Sequence, residues 1–445
     1  MNNRGEFSSR LGFVLAAAGS AVGLGNIWGF PTKVASNGGA AFVLVYLVLA
    51  FVLAYPVLMA EMAIGRACRA NTVTALEKIS GSKWSRVVGF WGFITVSLIL
   101  SFYAIVAGWM IAFCLESVTT FLGFSDLSTW LTQFSANRNA LFSALFVLLT
   151  AGIVVGGVSN GIEKWSVRLM PTFFLIIGIL IVYVAMQDGA TEGLSVYLKP
   201  DFSAVFNADL IISAMGQAFF SMSLGVGTML VYASYVSDKE NLPTLGASVA
   251  LVDIGVAILA GLLIIPAMYV ALHNGVQIFD DSGKLIDGEQ LILTVLPALF
   301  DTMGSIGYLV SFAFFALMVI ASLTSSISML EVPVSYVVED RGVSRSKAVW
   351  LIAALILVVS ILISYNFELL FGLVIALTTQ YSQPILGFML CVFAGWVWHR
   401  NAKLAALKKG FDDIEQSFFW KIWPWYVKFV CPIIIIVTFV SSLSR

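Results

Sequence analysis

Long apolar runs alternate with short polar stretches along this chain. About 20 apolar residues cross a bilayer, and on that scale eleven spans are predicted. Their limits are 11–35, 40–65, 87–115, 139–158, 166–186, 208–235, 243–272, 304–337, 347–365, 370–398 and 424–443. Two spans are interrupted near their middle. Ala16 to Pro31 reads AAAGSAVGLGNIWGFP and Phe220 to Gly227 reads FSMSLGVG. Glycine costs about 1 kcal/mol relative to alanine inside a helix, so Gly19, Gly23 and Gly25 weaken the first span there. Unwound backbone is tolerated in lipid only where protein buries it or it lines a water-filled cavity. Close packing through small residues would explain any one of these glycines. Two interrupted spans at corresponding places in two halves point to a polar or ionic site near the bilayer midplane.

Spans 1–5 open with one broken helix and spans 6–10 with the other. Five is an odd number, so the second set runs inverted relative to the first. The expected fold is an all-α polytopic membrane protein: a five-plus-five inverted-repeat transporter fold with broken helices 1 and 6, plus an eleventh span. The domain reading is a segment 1–10, a transporter core 11–398 (repeats 11–186 and 208–398), a connector 399–423, and the eleventh span with its tail, 424–445. An amphipathic helix is expected in the connector.

Charge sets the orientation. Of 24 Lys and Arg, five (Lys33, Arg138, Lys199, Lys284 and Arg445) fall on one side and the other nineteen on the opposite side. The positive-inside rule then predicts a cytoplasmic N-terminus and an outer C-terminus in the cell's inner (plasma) membrane. The first ten residues are too polar for a signal peptide, so the first helix is expected to act as its own insertion signal.

Composition narrows the class. The chain of 445 residues is 60% hydrophobic and 11% charged, with a mean hydropathy of +0.96, against about 25% charged in soluble domains. A net charge of −1 excludes a basic nucleic-acid binder. Cys68, Cys114, Cys391 and Cys431 lack paired spacing and read as small buried hydrophobes. With only His273 and His399, a histidine metal site is not expected, nor an organic cofactor. No Ser/His/Asp or Cys/His constellation lies in the spans, so an enzyme is not expected. A channel would need a polar continuous pore.

The motifs GSAVGLGNIWGFP, NGGAAF and PVLMAEMAIGR (with Glu61), then GQAFFSMSLGVGTMLVYASY in span 6 and ASLTSS at Ala321–Ser326, together resemble the neurotransmitter:sodium symporter family, in its short bacterial eleven-span form. So does GIEKWSVRLMP, with Gly161 upstream of Pro171. The resemblance implies a sodium-coupled symporter importing a neutral, apolar or aromatic amino acid by alternating access, without chloride. A non-transporting amino-acid sensor on the same fold is the rival. Expected partners are the small amino acid, sodium ions and the lipid bilayer; oligomeric state is not legible.

The resemblance also implies two sodium sites. One uses the carbonyls of Gly19, Val22 and Ala321 with the hydroxyls of Thr324 and Ser325, although such hydroxyls often bond their own helix instead. The other uses the Ala21 carbonyl, Asn26, Ser221 and, in span 7, Asp253, where relatives usually carry asparagine. Ala257 takes a position that is serine in chloride-dependent relatives. Asp253, near Tyr46, Gln217 and Ser221, is expected to supply the charge chloride supplies elsewhere; a hydrogen-bonded structural carboxyl is the alternative.

In the implied substrate site, the Leu24 and Gly25 amides and the Tyr103 hydroxyl hold a carboxylate at a broken helix end. The carbonyls of Ser20, Phe220 and Ser223 hold the ammonium. Val22, Ile99, Phe220, Val226, Ser325 and Met329 line the side-chain subsite, although core packing also accounts for Ile99, Val226 and Met329. Gly23 replaces the aspartate of amine-transporting relatives. The outer ion pair is lost, to Gly29 and Ile375, leaving Tyr103 over Phe220 as a lid, with Trp28. At the inner gate, Arg4, beside Phe7, is expected to pair with Glu339 or Asp340 near Ser234 and Tyr235.

Overall fold

The computed structural model describes residues 5–279, 286 and 291–443. Among these, nine continuous helices are long and apolar enough to cross a membrane: Ala40–Cys68, Ser85–Phe121, Ala136–Val154, Val158–Ala185, Leu242–His273, Ser305–Arg341, Arg345–Tyr365, Phe367–Val397 and Phe418–Leu443. They are spans 2–5 and 7–11. Span 1 is a tenth, made of Arg10–Ala21 and Gly25–Ser36 bent by 56°. Span 6 is the eleventh, two helices, Ala208–Ser221 and Thr228–Ala233, joined through six residues outside regular helix.

Several spans contain a wide π turn, and four of these end just before a proline. Gly25–Gly29 precedes Pro31, Ala50–Ala54 precedes Pro56, Ala376–Ser382 precedes Pro384 and Tyr426–Val430 precedes Pro432. Proline has no N–H to donate and its ring crowds the carbonyl four residues back. A widened turn accommodates both faults without ending the helix.

Three limits differ from the sequence reading by six residues or more: span 5 begins at Val158 instead of 166. Span 3 continues to Phe121, past 115, and span 11 begins at Phe418 instead of 424, because the aromatic run FFWKIWPW is already helical. The connector holds the expected helix, Arg400–Lys408. The short turn before span 10 is made by Asn366, whose carbonyl accepts from the amides of Leu369 and Leu370.

Spans 3 and 8 pack along their length, and the first half of span 1 lies against spans 5, 7 and 8. Span 2 meets the second half of span 6 at Gly65, where an added Cβ would sit 1.9 Å from the Leu230 carbonyl oxygen. Only glycine permits that approach. At the end of the bundle carrying the N-terminal segment, Glu163 of span 5 accepts from the Ser8 amide (2.7 Å) and hydroxyl (2.8 Å). It also accepts from the Ser9 amide (3.1 Å) and hydroxyl (2.9 Å). Phe7 packs edge-on against Tyr232 and Tyr235. Arg4 lies outside the described residues. Glu339 accepts from Asn71, Asp340 pairs with Arg86 at 2.6 Å, and Tyr235 donates to Glu331, itself bound by Arg345.

Candidate functional site between the two broken helices

The two breaks face one central cavity. In span 1 the helix stops at an extended Val22 (φ −70°, ψ 104°). In span 6, Ser223 takes φ 51° and Gly225 φ 89°, a region open to glycine and costly for serine. The span 6 break is held by its neighbours. Glu61 accepts from the Gly225 amide at 2.6 Å and the Gln383 amide donates to the Leu224 carbonyl at 2.9 Å. Gln217 donates to the Gly25 carbonyl at 2.9 Å, tying the breaks together. Thus Gln217 serves span 1; the structure shows no bond from it to Asp253.

On one side of the break, Asn26, Ser221 and Asp253 converge. The Asn26 amide donates to Asp253 Oδ1 (2.7 Å) and Ser221 Oγ (2.9 Å). Ser221 donates to Asp253 Oδ2 (2.9 Å), and Tyr46 donates to Ser221 (3.3 Å). Asp253 is fully buried and has no Lys or Arg partner among the described residues. A buried carboxylate without a counter-charge is costly. This cluster is rich in oxygen, the donor type that hard cations prefer.

On the other side, Ser325 donates to the Val22 carbonyl (2.8 Å) and the Gly19 carbonyl (3.2 Å). Thr324 donates to the carbonyls of Ala321 (3.0 Å) and Ile320 (3.1 Å) in its own helix. Its hydroxyl therefore shows the helix-bonded arrangement, although its place beside Ala321 is as expected. An added Cβ at Gly19 would sit 2.9 Å from Thr324 Cβ, so glycine lets spans 1 and 8 close. The five expected groups come together.

Between the clusters lies a cavity of about 350 Å³, near the lower end for small-ligand sites. Leu24, Gly25, Ile99, Tyr103, Phe220, Ser223, Val226, Ser325 and Met329 line it, with Ala21 and Ser221 at its edge. Ser20 and Val22 do not. The Ser20 hydroxyl turns away to Ser328 (2.6 Å), and Val22 is fully buried, so the wall is formed by the residues that follow them. The Tyr103 hydroxyl is buried without a hydrogen-bond partner, and an added Cβ at Gly23 would lie 3.1 Å from it. Tyr103 and Phe220 form no ring pair. Phe220 rests against Gly25 and is 43% exposed, so the expected lid is not shut.

Sequence reasoning missed Val96, Phe102 and Val106 of span 3, and Phe371, Thr379 and Gln383 of span 10. Val96 and Val106 share a helical stripe with Ile99 and Tyr103, a spacing that could have exposed them. Phe371, Ile375, Thr379 and Gln383 repeat every fourth residue, but nothing in span 10 marks that stripe from the rest of the helix. Gly29 and Ile375 both line the cavity, an apolar pair where the resemblance implies an ion pair.

The model of the sodium:neurotransmitter symporter family matches residues 4–139 and 123–445. The chain belongs to this family. Uncharacterized sodium-dependent transporters of Haemophilus influenzae and Bacillus subtilis are 33% and 32% identical to it, each match covering 99% of this chain and 98% of the relative. The crystal structure of MhsT in complex with L-phenylalanine is similar at 36% identity and a TM-score of 0.83, covering 99% of this chain and 100% of that one. The protein is a sodium-dependent symporter of this family, embedded in a membrane, and the family is one of transporters. The symporter fold thus accounts for both broken spans and for the inverted halves around the cavity.

Proposed function

We propose that this symporter couples sodium to uptake of a neutral, apolar or aromatic amino acid by alternating access, without chloride. The observation that carries it is the Asp253 cluster: a fully buried carboxylate among oxygen donors, at the edge of a cavity of amino-acid size. A sodium ion held by Asn26, Ser221, Asp253 and the Ala21 carbonyl would supply the missing positive charge. A second would sit among the Gly19, Val22 and Ala321 carbonyls, Thr324 and Ser325. Both ions bridge broken span 1 to a continuous span, so their binding favours one arrangement of the two repeats, and their release the other.

The substrate carboxylate would meet the Leu24 and Gly25 amides and the free Tyr103 hydroxyl. Val96, Ile99, Phe102, Val106, Val226, Met329 and Phe371 offer no charge to a side chain, which supports an apolar substrate. MhsT, solved with L-phenylalanine, agrees in size and class. With Ala257 offering no hydroxyl, Asp253 would take the place of a bound anion. The basic asymmetry supports a cytoplasmic N-terminus and an outer C-terminus in the inner membrane.

Uptake of a panel of labelled amino acids into proteoliposomes, with and without a sodium gradient, tests this. Leucine-like or aromatic substrates should accumulate only with inward sodium. Saturable binding without flux would favour a sensor. Binding of glutamate or lysine that neutral apolar amino acids fail to displace would refute the substrate class.

A further inference from the structure

Spans 10 and 11 leave a cleft of about 440 Å³ between them, lined by Phe388, Val392, Trp396, Lys428, Pro432 and Ile433. It shares no residue with the central cavity. Trp396 is 56% and Ile433 61% exposed, so the walls open onto the outer surface of the bundle, where acyl chains lie. At one end the Lys428 ammonium sits 4.4 Å from the Trp396 ring and 5.4 Å from the Phe429 ring. It has no carboxylate partner among the described residues.

The depth of Lys428 follows from packing. An added Cβ at Gly395 would lie 2.7 Å from Lys428 Cα, so this lysine is level with the last turn of span 10, which ends at Val397. Trp396, Trp398, Trp420, Trp423 and Trp425 cluster in sequence at these two span ends, as aromatic residues do at the headgroup level. A lysine there keeps its stem in apolar surroundings and its ammonium among headgroups.

Lys403 of the connector helix is buried and also lacks a carboxylate partner among the described residues. Burial, and then the Lys428 charge, push its ammonium down to about 8. Other connector lysines have found acids: Lys408 pairs with Glu415 and Lys409 with Asp238. The Lys428 ammonium, facing no carboxylate at an apolar cleft, matches a ligand with an anionic head and a hydrocarbon tail.

We propose that this cleft binds one anionic phospholipid from the leaflet on the connector's side. An acyl chain lies against Phe388, Val392 and Ile433, and the phosphate sits against the Lys428 ammonium. A zwitterionic lipid would bring its own cation to Lys428 and bind less well.

Purified protein in detergent, titrated with phosphatidylglycerol or phosphatidylcholine of identical acyl chains, tests the proposal by native mass spectrometry and thermal unfolding. Phosphatidylglycerol should be retained as a single tight adduct and raise Tm more than phosphatidylcholine. Lys428→Gln should cut the preference about fivefold, the worth of one basic residue at an anionic surface. Lys428→Arg, which keeps the charge, should retain it. Equal binding of the two lipids by the unmodified protein would overturn the proposal, whatever the variants do. So would an undiminished preference in the Lys428→Gln variant, or a lipid-free dimer that covers the cleft.

Discussion

Replacing Asp253 by asparagine tests the reading of the central site most directly. The change is nearly isosteric and keeps one oxygen for the Asn26 amide, now 2.7 Å from Oδ1. It removes the charge and turns the acceptor of the Ser221 hydroxyl, at 2.9 Å, into a donor. A unit charge about 4 Å from sodium contributes roughly 4 kcal/mol at an effective dielectric of about 20. The hydrogen bonds alone, weakened from charged to neutral, account for about 1 kcal/mol. Sodium half-saturation should therefore rise between about fivefold and a thousandfold. The assay is substrate uptake into proteoliposomes against sodium concentration, in chloride and in gluconate, with monodisperse elution as the check on folding. Unmodified protein should transport equally in both anions. The variant should need more sodium, and chloride should lower that need if it enters the vacated charge position. Strict chloride dependence of the unmodified protein would refute the reasoning. A variant with unchanged sodium affinity and rate would refute it equally.

Three further outcomes are expected. Replacing Thr324 by alanine and Ser325 by valine together should abolish sodium-driven uptake with the protein still folded, because both hydroxyls of the second cluster are lost; undiminished uptake disproves that site. Gly23→Ala places a methyl 2.8 Å from Ser325 Oγ and 3.1 Å from Tyr103 Oη, and should weaken substrate binding at least tenfold by equilibrium dialysis; unchanged affinity would move the carboxylate elsewhere. Lys403 has its ammonium pushed down to about 8 from 10.5, so between those values the folded chain holds fewer protons than the unfolded one. Stability in zwitterionic detergent should therefore rise with pH across that window and stay flat below it. Lys403→Met should remove the slope and raise Tm at neutral pH, by at most about 3 kcal/mol of stability; a lowered Tm contradicts this.

The sequence alone determined the element plan, because crossing a bilayer demands long apolar runs and closed backbone hydrogen bonding within each helix. Gly19, Gly23, Gly25 and the FSMSLGVG run announced the breaks, since glycine and small polar residues weaken a helix wherever it lies. Asn26, Ser221 and Asp253 were likewise legible, because polar groups are expensive at membrane depth. The tertiary structure decided what those groups face. Only the crossing of span 10 over the breaks put Phe371, Ile375 and Thr379 into the cavity wall, and their side chains look like any others on a lipid-embedded helix. Gln217 reads from sequence as a neighbour of Asp253, but the fold turns its amide to the Gly25 carbonyl, which also accepts from the Phe30 amide. Ser20 and Val22 follow the same logic in reverse. Both lie beside the break in sequence, yet the Ser20 hydroxyl turns to Ser328 and Val22 is buried, so neither lines the cavity. A polar residue's cost is local and shows in sequence; its partner depends on how distant helices pack, which the sequence states only through the whole fold.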